Sequence, residues 1–177
     1  MFRSIKKVLD RSLELLVMVV VAVLVVDVLW QVFTRFILKN PSIWTEELAV
    51  FMLIWVSLLG AAVALNRGAH LGIDYFVGKL SPKKRLYTEV FAFLCISLFS
   101  VTVMVLGGIN LVVSTLNLQQ LSPTLGIKVG YVYLVIPISG FFLALYSVIG
   151  LVERLTQLFK GGPVLQQQVT HVEEGVD

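Results

Sequence analysis

Three polar side chains are spaced four residues apart inside the first long apolar run of the sequence. Asp27, Gln31 and Arg35 occupy positions i, i+4 and i+8, so on an α-helix they share one face. Ionisable side chains inside a membrane are costly and normally face protein or water. This face is therefore predicted to meet a partner subunit or a trapped lipid headgroup, and not lipid tails.

Two adjacent carboxylates, Glu46 and Glu47, stand at the start of the second apolar run, shortly after Arg35. The short connection predicts a charge network between Arg35 and these glutamates. Because both also lie in a first helical turn, where the helix dipole favours negative charge, simple solvation at the headgroup level is the alternative. Asp27 lies about 12 Å from Arg35 along the helix axis, and no charged residue matches its depth. Its partner is thus on another subunit, or its carboxyl is protonated.

A third polar group, Arg67, His70 and Asp74, follows the second apolar run. A metal site or proton relay is one interpretation, but two ligands four residues apart do not make a metal site. A structural contact between His70 and Asp74, or headgroup binding by Arg67, is favoured. No catalytic residue, metal or cofactor is expected, because Cys95 is the single cysteine and the second histidine, His171, lies in the polar tail.

Membrane helices must position these residues, because the composition excludes an ordinary soluble domain. Of 177 residues, 58% are hydrophobic and 14% charged, whereas soluble domains carry about 25% charged residues. Four apolar segments each exceed the ~20 residues that span a bilayer. The predicted fold is an all-α transmembrane domain over residues 1–160 with long, tilted helices at about 13–38, 43–65, 86–118 and 129–159. Residues 161–177 are expected to form a polar, disordered tail.

Local signals refine this assignment. Ser81 and Pro82 are predicted to be the N-cap and first residue of the third helix, and Pro137 predicts a kink in the fourth. The segment 72–80 forms either a short interfacial helix or a loop. The basic N-terminus resembles a signal peptide, but its apolar run is too long for one, so we interpret it as a retained anchor.

The distribution of Lys and Arg predicts the orientation. Eleven flank the two chain termini and the connection between the second and third helices, against two, or three with Arg35, on the opposite side. The positive-inside rule therefore places both termini in the cytoplasm. Since the basic residues lie beside apolar runs, no nucleic-acid partner is expected.

Small and aromatic residues mark further surfaces. Small residues allow close helix approach, and two such faces are predicted to be packing surfaces, with a substrate-lining role the less favoured alternative: Ser57, Gly60 and Ala64, and then Gly140, Ala144 and Ser147. Trp44 fits an aromatic belt at the membrane interface. Trp30 and Trp55 lie deeper and are predicted to pack or to contact a partner.

Five stretches together carry a family resemblance: Arg35-Phe36, WTEELAVFMLIWVSLLGAAVAL (44–65), RGAHLGIDYF (67–76), LSPTLGI (121–127) and GYVYLVIPISG (130–140). Over roughly residues 10–160 the chain resembles the small membrane subunit (DctQ-like, or Q-subunit) of tripartite ATP-independent periplasmic (TRAP) transporters. The resemblance implies a bacterial or archaeal inner membrane, a large transport subunit, a periplasmic substrate-binding protein, a sodium gradient and an acidic substrate such as a dicarboxylate or sialic acid. It also implies that the large subunit moves substrate by an elevator motion, with the small subunit in its fixed scaffold.

Two further expectations concern partners and mechanism. Membrane lipids, including a phospholipid bound at the subunit interface, are possible partners, and the loops around 39–47 and 119–128 are candidate docking surfaces for the binding protein. The alternative function is a self-sufficient small oligomeric carrier or exporter with Asp27 as its proton site. A carrier of that kind usually shows repeats and broken helices near the midplane, which the sequence does not.

Overall fold

The structure, a computed structural model, describes residues 2–67 and 82–159. Seven helical elements lie in these ranges. They are α1 (Phe2–Phe36), α2 (Ile43–Asn66), α3 (Pro82–Phe99), a π-helical segment (Ser100–Gly107), α4 (Gly108–Asn117), α5 (Val129–Tyr133) and α6 (Val135–Phe159). Ser81, His70, Asp74, the segment 72–80 and the tail 161–177, for which expectations were stated, lie outside the described residues.

Four helical stretches are long and apolar enough to cross a membrane, which confirms the predicted all-α membrane fold. Their bounds are Val8–Phe36, Ile43–Asn66, Lys84–Asn117 and Val129–Phe159. The third joins α3, the π-helical segment and α4, and the fourth joins α5 and α6. The predicted helices at 43–65 and 129–159 agree with the second and fourth stretches to within one residue.

The first helix begins earlier than its apolar pattern indicates. It starts at Phe2, and not near residue 13, and it ends at Phe36. Tertiary contacts hold its polar first part: Leu13 is almost fully buried, and the carboxylates of Asp10 and Glu14 bind side chains of other helices. An apolar-run criterion misses helical turns that are stabilised by such polar contacts.

The long helices pack as a row and not as a closed ring. The extensive contacts pair α1 with α2, α2 with α6, and α6 with both α3 and the π-helical segment. The most apolar window of the α5–α6 span is 28% buried, against 11% in the first two spans. The fourth described span is therefore the central element of the row.

Seven residues from four of the long helices form the hydrophobic core. The members are Leu13, Leu59, Ala62, Leu65, Phe93, Val135 and Tyr146. Because the alternative to burial in a bilayer is contact with lipid and not with water, these side chains stabilise the fold mainly through close van der Waals packing. Most other large apolar side chains of α1 remain exposed, as expected for helices that face lipid.

Two interruptions in the regular helices lie where α6 meets the third span. Within the third span, Ser100 and Thr102 donate side-chain hydrogen bonds to the carbonyls of Ile96 and Leu98, a contact that distorts helices. In the fourth span, the helix breaks at Leu134, as expected because Pro137 lacks an N–H and crowds the carbonyl four residues earlier.

The row has two ends, which we name by their connections. The hairpin end carries the α1–α2 connection (37–42) and the loop 118–128. The terminal end carries the first turns of α1 and α3 and the last turns of α2 and α6.

Candidate partner interface and its supporting contacts

Asp27 is the unsatisfied polar group of the described residues. Its side chain projects from α1 into the chain and is only 5% exposed. Neither carboxylate oxygen has a hydrogen-bond partner among the residues that the structure describes. A buried polar group without a partner is costly.

An open groove of about 330 Å³ runs beside Asp27. Besides Asp27, the residues that line it are Val23, Val26, Trp30, Trp44 and Leu48. The two tryptophans are 48% and 43% exposed, so the groove opens to the surroundings of the chain. The lining is apolar except for the aspartate, and this combination suits an apolar segment that carries one polar donor.

Hydroxyl groups join α1 to α2 at the hairpin end. The Thr34 hydroxyl donates to the carbonyl of Gln31 at 3.0 Å and lies 3.4 Å from Oγ of Ser42. The Thr45 hydroxyl donates to the carbonyl of Ser42 at 2.7 Å. Thr34 and Thr45 are both buried. Sequence reasoning missed this cluster, although the Ser42-x-x-Thr45 spacing at the helix start was a usable signal.

The predicted charge network of Arg35 with Glu46 and Glu47 is not formed. Within residues 2–67 and 82–159 no ion pair joins Arg35 to either glutamate. The Arg35 guanidinium lies 6.0 Å from the centroid of the neighbouring Phe36 ring, in the last turn of α1, where the helix dipole favours a cation. Glu46 is exposed. Glu47 turns away because it binds a different part of the chain.

Glu47 holds the loop that connects α4 to α5. Its Oε2 accepts hydrogen bonds from the backbone N–H groups of Thr124 at 3.0 Å and Leu125 at 3.1 Å. Within the loop, the N–H of Ser122 donates to the carbonyl of Ile127 at 2.8 Å, and Gly126 adopts a φ of +66° that favours glycine. Hydrogen bonds to a charged acceptor are strong, so Glu47 fixes this loop against α2.

Trp55 ties α2 to the break between α5 and α6. Its indole Nε1–H donates to the carbonyl of Val132 at 3.1 Å. The break at Leu134 frees carbonyls from the helical ladder, and the indole satisfies one of them. Trp55 was expected either to pack within the chain or to contact a partner, and this hydrogen bond agrees with packing within the chain.

Polar contacts also fasten the terminal end. Glu14 of α1 forms an ion pair with Arg67, which directly follows α2. The distance from Glu14 Oε1 to Nη2 of Arg67 is 2.9 Å. The Tyr146 hydroxyl of α6 donates to Oδ1 of Asp10 at 2.7 Å. Glu89 of α3, which is only 12% exposed, pairs with Arg154 of α6 at 2.9 Å. Arg67 therefore has a side-chain partner in α1.

The two predicted small-residue faces differ in the structure. Gly140 is buried, and a Cβ added there would lie 2.6 Å from Cβ of Met104, so α6 and the π-helical segment approach closely at this point. Ser147 is buried and Ala144 partly buried on the same helix. A Cβ added at Gly60 would meet nothing within 4 Å, and Ser57 is exposed.

The packing predicted for this face of α2 is therefore not found at Gly60 within the described part of the chain. The physical reason is that α2 buries a different face, with Leu59, Ala62 and Leu65 in the core. The face with Ser57, Gly60 and Ala64 stays open in this chain, and its packing against another chain remains a prediction.

The described residues contain no cluster of three His, Cys, Asp or Glu side chains that would hold a metal ion. In the described residues, side-chain contacts connect the helices at both ends of the row. An apolar groove beside α1 contains the Asp27 carboxylate, which has no hydrogen-bond partner there.

Comparisons with known proteins identify similar chains. Residues 24–157 match the family described as "Tripartite ATP-independent periplasmic transporters, DctQ component". The sialic acid TRAP transporter small permease protein SiaQ of Vibrio cholerae is 29% identical over 175 residues, which cover 95% of this chain and 97% of the relative.

Two further relatives match over shorter lengths. The C4-dicarboxylate TRAP transporter small permease protein DctQ of Rhodobacter capsulatus is 30% identical over 98 residues, or 55% of this chain and 43% of the relative. The sialic acid TRAP transporter permease protein SiaT of Haemophilus influenzae is 36% identical over 73 residues, or 39% of this chain and 12% of that longer protein.

Proposed function

Because the chain belongs to the DctQ-component family and is a small membrane subunit of a TRAP transporter, we propose that it is the fixed scaffold for a large transport subunit that takes up an organic acid. The family consists of transporter subunits and not enzymes. The names of the relatives include both sialic acid and C4-dicarboxylates. The proposed substrate class is accordingly an organic acid of one of these two kinds.

Within the structure, the fastening of the helices at both ends carries the scaffold proposal. At the terminal end, Asp10 and Glu14 join α1 to α6 and to the end of α2. At the hairpin end, Glu47 joins α2 to the loop 118–128. Halfway along α2, Trp55 joins it to α5. A scaffold must keep its shape while its partner moves, and ties between distant parts of the chain serve that requirement.

The proposed partner is the large permease subunit. A segment similar to part of this chain occurs within the longer permease SiaT. This supports a direct association between the small subunit and the large permease subunit. The open face of α2 around Gly60 and the groove beside Asp27 are the proposed contact surfaces. Membrane lipids cover the remaining apolar surface of α1.

The remaining parts of the proposal concern the transport cycle. The large subunit carries substrate by an elevator motion that a sodium gradient drives, and a periplasmic substrate-binding protein delivers the substrate. The complex lies in the bacterial inner membrane with both termini of this chain in the cytoplasm, an orientation that the bias of Lys and Arg supports. The loop held by Glu47 then faces the periplasm, where it is available to the binding protein.

Reconstitution in liposomes tests this function. Radiolabelled sialic acid or a C4-dicarboxylate, a sodium gradient and the binding protein are supplied to vesicles that contain this chain, the large subunit, or both. Uptake by both together, and by neither alone, is the expected result. Uptake with this chain alone would overturn the scaffold role and favour the self-sufficient carrier with Asp27 as its proton site. Uptake with the large subunit alone at the full rate would show that no scaffold is needed.

A further inference from the structure

The depth of Asp27 restricts what can reach it. The membrane-crossing part of α1, Val8–Phe36, has 29 residues and is about 43 Å long. Asp27 lies about 14 Å from its Phe36 end along the axis. When a hydrocarbon core of about 30 Å is centred on this helix, the Asp27 backbone lies about 7 Å from the midplane and about 8 Å inside the nearer boundary. A headgroup resting at that boundary does not reach this level.

The chemistry of the groove indicates the kind of donor it accepts. Both oxygens of Asp27 lack partners in the described part of the chain, and a guanidinium donates two parallel hydrogen bonds to a carboxylate. Trp30 and Trp44 line the same groove, and a guanidinium stacks favourably on indole faces. An ammonium group is a compact, strongly hydrated charge and suits this apolar setting less well.

The described residues offer no such cation at this depth. The basic residue of α1 nearest to Asp27 along the chain is Arg35, which lies in the last helical turn beside the Phe36 ring. A cation that pairs with Asp27 would therefore come from another molecule. An aspartate placed in a membrane helix without a partner is expensive, and a protein side chain held at fixed depth on another helix removes that cost.

We propose that the Asp27 groove receives an arginine side chain from a membrane helix of the large transport subunit. This inference rests on the proposed function, since it takes the large subunit as the partner. Because both Asp27 oxygens are almost inaccessible in this chain alone, the Asp27 side chain turns toward the groove when the arginine enters between Trp30 and Trp44. The arginine then pairs with both oxygens and fixes the depth of the large subunit relative to α1. The groove is then a specific docking point within a mainly apolar interface.

Photo-crosslinking in the intact complex tests the occupant. This chain and the large subunit are co-purified into lipid nanodiscs with a photoreactive residue at Val26, which lines the groove, or at Leu98 as a control, exposed on α3 at the far end of the row. The expected product from Val26 is an adduct with a large-subunit peptide that contains an arginine, whereas Leu98 yields lipid adducts.

Other products from Val26 would overturn the inference. Lipid adducts alone, adducts with a second copy of this chain, or a large-subunit peptide without arginine would each do so. If the complex purifies and transports substrate in those cases, the proposed function stands and the inference fails. If the two chains do not associate at all, both fail.

Substitutions of Asp27 give effects of opposite sign in the two settings. In the isolated chain, Asp27→Leu removes a buried unpartnered group and should raise the apparent unfolding temperature. In the complex, Asp27→Leu and Asp27→Asn should lower the amount of co-purified large subunit by about tenfold. Glu153→Gln, which removes a charge at an exposed position of α6, is the matched control and should change neither quantity.

A charge exchange completes the test. Asp27→Arg should abolish co-purification, and a change of the crosslinked arginine to aspartate in the large subunit should restore it. A lower unfolding temperature of the isolated Asp27→Leu chain would show that Asp27 serves the fold of this chain itself, and absence of rescue by the exchange would also contradict the pairing.

Discussion

Asp10 and Tyr146 meet at the terminal end of the row, where the Tyr146 hydroxyl donates a 2.7 Å hydrogen bond to Oδ1 of Asp10 across 136 positions of sequence. Tyr146 is almost fully buried and belongs to the hydrophobic core. The contact therefore joins α1 to α6 at the edge of the hydrophobic core.

The first prediction concerns this bond. Tyr146→Phe keeps the ring in the core but leaves Oδ1 of Asp10 without its donor, so the free energy of unfolding should fall by about 0.5–1.5 kcal/mol. The measurement is unfolding of the purified chain by SDS titration in mixed micelles. Tyr131→Phe, at an exposed ring, is the control and should change stability little. Equal stability of the two variants would mean that the hydrogen bond contributes nothing.

The second prediction concerns the loop that Glu47 holds. Glu47→Ala removes the acceptor for the amides of Thr124 and Leu125, and their hydrogen exchange should accelerate by about tenfold or more. Glu47→Gln keeps one carbonyl oxygen and should have a smaller effect. The exposed neighbour Glu46, changed to alanine, is the control.

Arg35→Gln supplies a second comparison for this loop. Since no ion pair joins Arg35 to Glu47 in the described residues, this variant should leave the exchange of both amides unchanged. Faster exchange in Arg35→Gln would revive the charge network that the sequence suggested.

The third prediction compares two glycines. Gly140→Ala places a Cβ 2.6 Å from Cβ of Met104, and overpacking of this kind should lower the free energy of unfolding by about 1–3 kcal/mol. Gly60→Ala meets nothing within 4 Å, and alanine is favoured over glycine in a helix by roughly 0.5–1 kcal/mol. In the same SDS titration, the first variant should unfold earlier than the unmodified chain and the second no earlier. A reversed order would contradict the packing described for α6.

The fourth prediction concerns orientation. Reporter fusions at Asn40 and Thr124 should report the periplasmic side, and fusions at Lys83 and Gln168 the cytoplasmic side, because the Lys and Arg bias places both termini inside. Pairs of alkaline phosphatase and green fluorescent protein fusions make the measurement. A periplasmic signal from Lys83 would reject this topology.

The number and position of the membrane helices followed from local information. The second and fourth spans began and ended where apolar composition changes, and Pro82 marked the start of α3 because proline at the first helical position needs no hydrogen bond.

The contacts between distant segments were not predictable in this way. Glu47 was expected to bind Arg35 because the two lie close in sequence, but its Oε2 accepts hydrogen bonds from backbone amides 77 and 78 positions away. Gly60 and Gly140 both lie in apolar segments with other small residues nearby. Whether each glycine packs closely depends on which helix lies beside it, and local sequence does not give that information. The sequence predicted the third span as one regular helix. The π-helical segment within it involves the hydrogen bonds that the Ser100 and Thr102 hydroxyls donate to backbone carbonyls, and also the packing against α6.

The order of helices in the row has a consequence for the time course of synthesis. Of the four described spans, the central one, which contains α6, is made last, and it separates α2 from α3. While the chain is being made, α1 and α2 can pair at once, whereas α3 waits in the membrane for its principal neighbour. A chain that stops before α6 therefore leaves α3 without its packing partner, and the described row is complete only when its fourth span is inserted.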